Sequence, residues 1–351
     1  MSKIFSIDKN RLIIYDSNTS ANSGTVMSLI QKKLGVTIVE DASTDKCYLN
    51  KYGQLVVKSV EYAGGNTSGL LYSFGLLSDC HVDDDEVDVA LSRSDLTNAI
   101  SFFNDNGCNF IAYAGDVSYN GSPAEFAALK TCLDTSTIPN YCIRGNHDAH
   151  STTFSEYNNQ IESREDYTVT QNNDLLIFLS CANTNHGTGG LTTEKLDWLE
   201  NLLTTNTDKR IFLFYHYFVD GTCGNARNYY PASSLTDSDG VALRFKNMVK
   251  GYPNLIFCSG HSHLRFNLQD LDPNANYYHN DGECYYVHVP STSRPRQPDK
   301  SSPTGTSDWN EGSEGYLVEV YADKVIFKPI DFINSENLTK YNYTANVAQG
   351  D

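Results

Sequence analysis

From residue 70 onward, short apolar runs alternate with stretches whose apolar residues recur at helical spacing. LLYSFGLLSD (70–79) is followed by a predicted helix over 87–106, and NFIAYAGD (109–116) by another over 122–134. NYCIRGN (140–146) and LLIFLSC (175–181) come next, then TTEKLDWLENLL (192–203) as an amphipathic helix. RIFLFYH (210–216), a predicted helix over 239–250 and NLIFCSGH (254–261) close the series. Such alternation indicates an α/β domain whose first strands are parallel. The later runs ECYYVHVP, GYLVEVY and KVIFKPI have no helices between them and are expected to pair largely antiparallel. Residues 291–314 are polar and rich in Pro, Ser and Gly, which reads as a loop.

Residues 1–69 follow a different pattern. KIFSI, RLIIYD, VTIVED and QLVVKSVEY read as short strands around one helix-like stretch, TVMSLIQKKL, and the segment ends in the turn-forming AGGNTSG. The expected organisation is a small N-terminal α+β appendage over 1–69, a main domain over 70–330 and a polar, loosely held tail over 331–351.

Composition narrows the field. Hydrophobic residues make up 40% of the 351, enough for a packed core and too many for a disordered chain. No apolar run approaches the roughly 18 residues a membrane span needs, and the start MSKIFSIDKN has no apolar segment of a signal peptide. A net charge of −17 argues against general affinity for nucleic-acid backbones or anionic membranes. It does not exclude a phosphate substrate, because bound divalent ions are the largest local charges in such a site. The nine cysteines are odd in number, include no C-x-x-C pair and lie partly in strand-like runs. They read as buried, reduced thiols, which places the chain in the cytoplasm.

The candidate chemistry sits in five short motifs: Asp79-Cys80-His81, Gly115-Asp116, Gly145-Asn146-His147-Asp148, His216 and Gly260-His261-Ser262-His263. Asp79, Asp116, Asn146, His216 and His261 each follow an apolar strand candidate, so loops beyond the carboxyl ends of strands deliver them to one rim. Alternation along an extended segment would let Asp79 and His81 share one ion while Cys80 points away. His261 and His263 stand in the same relation. Imidazole with carboxylate and amide oxygen suits Mn, Fe or Zn better than Ca or Mg, and the lack of thiolate argues against a structural zinc. Gly115, Gly145 and Gly260 read as turn residues at strand ends.

The order of these motifs resembles the calcineurin-like metallophosphoesterase family over roughly residues 70–330. The resemblance implies two mixed β-sheets packed face to face with helices outside. It also implies two divalent transition-metal ions, one held by Asp79, His81 and His263, the other by Asn146, His216 and His261, with Asp116 bridging. His147 would face the leaving-group oxygen. Read from the residues alone, neighbouring Asp148 is placed to orient an imidazole, its direction left open. The activity implied is hydrolysis of phosphate esters, more often diesters, by in-line attack of a hydroxide bridging the ions, with no protein nucleophile. The substrate would be a phosphate-ester small molecule or a nucleotide. GDVSY also resembles the purple acid phosphatase motif, whose tyrosine binds ferric iron. Those enzymes lack a histidine in the first motif, so Tyr119 is expected beside the centre or in packing.

Some residues keep two readings. Arg294 and Arg296 are either phosphate contacts or solvated loop charges. Arg227, with Tyr229 and Tyr230, either lines the pocket or packs its loop. The alternative for the whole chain is a non-catalytic scaffold, or a binding protein of a phage particle, attached to a protein partner through residues 1–69.

Overall fold

The computed structural model describes residues 69–150, 154–184, 188–224, 235, 240–270, 277–280, 282, 284–298 and 312–350, together with strand segments 5–8, 11–14, 38–40, 48–49, 55–57 and 306–309. The chain divides into two compact units, Met1–Gly69 and Leu70–Asp351. In the first, β1 (Phe5–Asp8) and β2 (Arg11–Ile14) pair antiparallel, and β3 (Ile38–Glu40), β4 (Tyr48–Leu49) and β5 (Leu55–Val57) form a three-stranded sheet. The helix expected over TVMSLIQKKL lies outside the described residues.

The second unit is built on two mixed sheets. One contains β6 (Leu70–Leu77), β7 (Phe110–Tyr113), β8 (Asn140–Cys142), β17 (Glu314–Tyr321), β18 (Val325–Asp331) and β19 (Glu336–Asn337), in the order β19-β18-β17-β6-β7-β8. The other contains β9 (Tyr167–Gln171), β10 (Asp174–Phe178), β11 (Ile211–Phe214), β12 (Leu255–Ser259), β13 (Tyr278–Asn280) and β14 (Tyr285–His288), in the order β13-β14-β12-β11-β10-β9. Pairing is parallel within β6-β7-β8 and along β10-β11-β12-β14; β9 and β13 pair antiparallel at the edges of the second sheet, and β17 pairs antiparallel with both β6 and β18 inside the first.

The continuous apolar runs are explained by burial on both faces. Along β11, Phe212 and Phe214 face the core between the sheets, whereas Ile211 and Leu213 face the outer helices. The inner core is largely aromatic, with Phe74 stacked on Phe110 at 4.8 Å and Phe178 on Phe214 at 4.8 Å. Helices α1 (Ser92–Asp105) and α2 (Pro123–Leu133) cover one sheet, and α4 (Thr193–Thr205) and α5 (Gly240–Lys250) cover the other. Helix α2 begins with a Ser122–Glu125 capping box and Pro123, and α4 with the Thr192 side chain accepting from the Lys195 N–H.

The structure departs from the sequence reading at several points. β14, expected to pair antiparallel, runs parallel to β12, because the long connection after Gly260 carries the chain back across the sheet. Helix α3 (Phe154–Gln160) and strand β9 had no clear periodic signal. The expected loop over 291–314 contains a short antiparallel pair, β15 (Arg296–Pro298) with β16 (Thr306–Trp309). The C-terminal residues are not loosely held. β20 (Tyr343–Ala345) pairs with β18, and Ala345 and Val347 are buried in the inner core. Alternate burial hid the strand among polar neighbours. Among the described residues no helix is long and apolar enough to cross a membrane.

Candidate metal centre

The ligand candidates gather at the carboxyl ends of the central strands, in two groups that share Asp116. In the first, His263 Nε2 lies 2.9 Å from Asp79 Oδ1 and 3.1 Å from His81 Nε2, and His81 Nε2 lies 3.9 Å from both Asp79 Oδ1 and Asp116 Oδ2. In the second, His216 Nε2 lies 3.0 Å from Asp116 Oδ2 and 3.3 Å from His261 Nδ1. Donor atoms bound to one ion at about 2.0–2.2 Å stand about 3.0–3.5 Å apart, so this crowding suits coordination. Asp79, His81, Asp116 and His216 are at most 1% exposed.

The backbone explains how the groups are aimed. Asp79, His81, Asp116, His261 and His263 all have positive φ, between 44° and 72°. For residues with a Cβ this left-handed conformation costs about 1–2 kcal/mol each and clusters at functional sites. The simple alternation expected at each pair of ligands therefore does not apply. Asp79 and His81 do reach the same group, but His261 and His263 separate, one to each.

The glycines have more than a turn role. Only Gly115 of the three motif glycines has positive φ, at 91°. A Cβ on Gly145 would strike the Asp116 side chain, and one on Gly260 would strike Ser78 and Asp79. Close approach, rather than conformational freedom, excludes a side chain at Gly145 and Gly260.

Several contacts fix ring orientation and tautomer. His216 Nδ1 lies 2.9 Å from the Ala114 carbonyl, an acceptor only, so Nδ1 carries a proton and Nε2 is the nitrogen turned toward Asp116. The His261 N–H donates to Asp79 Oδ2 at 3.0 Å. The His147 N–H donates to Asp116 Oδ1 at 2.8 Å, and its Nδ1–H donates to the Tyr119 carbonyl. The His147 ring stands edge-on to His81 at 4.6 Å. Asn146, between Gly145 and His147, is 2% exposed, and its Oδ1 takes no hydrogen bond among the described residues.

Electrostatics follow from this burial. Desolvation, then His147 and His263, holds His81 well below the usual imidazole range, and desolvation followed by Arg296 does the same to His263. Burial and His216 lower His261 to about 3. His216 goes the other way: burial lowers it, but the Asp116 carboxylate outweighs that and raises it to about 9. Asp116 is held well below the usual carboxylate range, because His216 and His147 overcome its burial.

Asp148 differs from expectation. Among the described residues its carboxylate meets N–H and hydroxyl donors rather than an imidazole. It accepts from the Gly145 N–H at 2.8 Å, the Ser118 N–H and hydroxyl at 2.8 Å and the Val117 N–H at 3.3 Å, pinning the third motif's loop to the second's. Burial and neighbouring Asp116, opposed by those donors, push it up to about 6. Arg294 lies with its guanidinium 5.2 Å from the Tyr119 ring, and the Arg296 N–H donates to the His263 carbonyl at 2.6 Å, so both flank the first group. The Tyr119 carbonyl accepts from His147, and the two rings lie 5.9 Å apart. Arg227, Tyr229 and Tyr230 lie outside the described residues. The sequence reading missed Ser291, Thr292 and Ser293, whose hydroxyls bind the Asp79 loop. Their small polar composition had signalled only a loop.

The donor set itself tests whether cations fit. Asp79 Oδ1, Asp116 Oδ2 and Asn146 Oδ1 are buried oxygens with no hydrogen bond among the described residues. Lone pairs in such a place are costly unless something positive reaches them. The imidazoles beside them complete a mixed nitrogen and oxygen set of the kind that binds transition metals. The residues fit two ions sharing Asp116.

A two-sheet sandwich carrying such a rim belongs to the class of dimetal-centre α/β proteins. The chain belongs to the calcineurin-like phosphoesterase family, whose model matches residues 72–265, more than half of its length. It is 30% identical over 113 residues to a probable glycerophosphodiester phosphodiesterase of Arcobacter nitrofigilis, a match spanning 31% of this chain and 41% of that relative. Among solved structures it is similar to a dimetal phosphatase from Danio rerio, with TM-score 0.58 and 13% identity over 80% of this chain and 100% of that one. It is also similar to a purple acid phosphatase from yellow lupin (Lupinus luteus) seeds, with TM-score 0.53 and 11% identity over 78% of this chain and 53% of that one. A similar fold appears in the anchor of the Plasmodium inner membrane complex, with TM-score 0.55 and 11% identity over 80% and 89% of the two chains. At such identities these structures speak to the fold alone.

Proposed function

We propose that the chain is a metal-dependent phosphohydrolase that prefers phosphodiesters, small molecules or nucleotides, and that works with two ions drawn from Mn, Fe and Zn. The observation that carries this reading is the convergence of two ligand groups on Asp116. Asp79, His81, Asp116 and His263 would hold one ion, and Asp116, Asn146, His216 and His261 the other. Bound there, the ions supply Lewis acidity toward a phosphoryl oxygen and lower the pKa of water.

The chain's own residues supply the rest. His147 has committed Nδ1–H to the Tyr119 carbonyl, so Nε2 is the nitrogen left to exchange a proton with a leaving-group oxygen. Asp148 keeps the two ligand loops in register through backbone N–H groups. Arg294 and Arg296 place positive charge beside the first group, where an anionic ester would approach.

The test is hydrolysis of bis-p-nitrophenyl phosphate and p-nitrophenyl phosphate by manganese-loaded protein. Faster turnover of the diester, lost with chelator and in Asn146→Ala, is the expected result. Metal-replete protein inert toward both esters would refute it.

A further inference from the structure

Just past β14, three consecutive hydroxyl residues close over the first ligand segment. Ser291 Oγ donates to the Asp79 carbonyl at 2.7 Å, Thr292 Oγ1 to the Ser78 carbonyl at 3.2 Å, and Ser293 Oγ to the Cys80 carbonyl. The Thr292 N–H reinforces the contact at the Ser78 carbonyl at 3.0 Å, and Ser78 and Ser291 form a parallel bridge. Three successive carbonyls are thus held on a stretch in which Asp79 and His81 both keep positive φ. Since β6 and β14 belong to different sheets, the contact also joins the sheets at the rim.

Burial gives these hydrogen bonds their consequence. Ser78, Asp79, Cys80, His81, Ser291 and Thr292 are 0% exposed and Ser293 is 5% exposed. A carbonyl at that depth has no bulk solvent to turn toward, so the hydroxyl that reaches it fixes its peptide plane. Left-handed backbone at residues with a Cβ persists only where surrounding contacts impose it. The three hydroxyls are the side chains that reach these carbonyls. Ser291 Oγ also accepts from the Arg294 N–H at 2.7 Å, which ties the hydroxyl to its own turn.

The second ligand group is tied to the Asp79 segment through the His261 N–H, which donates to Asp79 Oδ2, and has further supports of its own. His216 is oriented by the Ala114 carbonyl, and the His216 carbonyl accepts from the Gly260 N–H at 3.0 Å. Neither contact involves residues 291–293. Those residues also lie outside the stretch that the family model matches.

We propose that Ser291, Thr292 and Ser293 are positioning residues that set the ion affinity of the group formed by Asp79, His81 and His263, with little influence on the group formed by His216 and His261. This rests on the reading of the rim as a two-ion site.

The experiment is stepwise titration of Mn(II) into metal-free full-length chain against a chromophoric chelator, with electron paramagnetic resonance separating single from coupled ions. Ser291→Ala and Ser293→Ala are each expected to weaken one binding step about 10–100-fold while the other stays put. Ser293→Thr, which keeps the hydroxyl, should restore it. Ser313→Ala is the control: Ser313 is 1% exposed, and its hydroxyl takes no hydrogen bond among the described residues. Equal weakening of both steps, the same loss in Ser313→Ala, or no shift in any variant overturns the proposal. If Ser291→Ala does not fold, Ser293→Ala and Thr292→Val decide by the same criteria. Wild-type protein that binds two ions yet cleaves no ester refutes the proposed activity while the affinities still judge the clasp. Wild-type protein that takes up no manganese overturns both.

Discussion

The two ends of the sandwich both bury charge, and they treat it in opposite ways. At the end where β10 and β11 begin, Asp174 and Arg210 are both fully buried and paired at 2.6 Å. Asp174 also accepts from the Tyr72 hydroxyl at 2.7 Å and from Gln349 at 3.1 Å, while Arg210 donates to the Tyr321 and Val347 carbonyls at 2.7 and 3.0 Å. Both guanidinium NH2 groups and both carboxylate oxygens find protein partners there, Arg210 Nε alone of this pair's charged atoms taking no hydrogen bond among the described residues, and neither residue has positive φ. At the opposite end, Asp79, Asp116 and Asn146 keep buried oxygens that take no hydrogen bond among the described residues, on backbone with positive φ at Asp79 and Asp116. Buried charge satisfied from within is architecture. Buried charge left unsatisfied on strained backbone marks a binding site.

Substitutions can break this contrast. The largest expected effect is from Asp116→Ala, which removes the oxygen both groups share. Manganese uptake at both positions should fail and ester hydrolysis should fall by about 10³-fold or more, with the chain still folded by circular dichroism. Arg210→Ala strips the closed end instead. Leaving Asp174 uncompensated should cost about 3–5 kcal/mol in urea unfolding, with metal stoichiometry intact. If Arg210→Ala lost its ions as readily as Asp116→Ala, the two ends would not be independent.

Smaller effects sharpen the comparison. Manganese at a hundredfold excess over each dissociation constant should stabilise the wild type by about 2.7 kcal/mol for each ion bound, and Arg210→Ala by the same increment, measured as a shift in the unfolding midpoint. Gly260→Ala forces a methyl group against Ser78 and Asp79 and should cost about 1–3 kcal/mol along with metal affinity. The smallest change is expected from Tyr119→Phe. It keeps the carbonyl that holds His147 and a ring beside Arg294, so stability should move by about 0.5 kcal/mol and the visible spectrum not at all.

Much of this was legible in the chain. RIFLFYH and NLIFCSGH announce strands by their apolar runs and ligands by the residues that end them, and the structure brings those ends together. What escaped was whatever depends on a partner distant in sequence. His261 and His263 do not follow the alternation of an extended segment, because left-handed φ is not written in residue type. The histidines beside Asp148 in sequence suggest an imidazole partner, yet its carboxylate is taken by N–H groups from the loop after β7. The tail over 331–351 reads as polar and loosely held because its core-packing residues, Phe332, Leu338, Tyr343, Ala345 and Val347 among them, are scattered between polar ones, and a strand of three residues carries too little pattern to be seen.

The most direct test is a crystal grown with manganese and measured at its absorption edge. Two anomalous peaks, one among Asp79, His81 and His263 and the other beside His216 and His261, with Asp116 touching both, are the expected result. A single peak, or none, over a rim whose side chains keep the positions described would contradict the account.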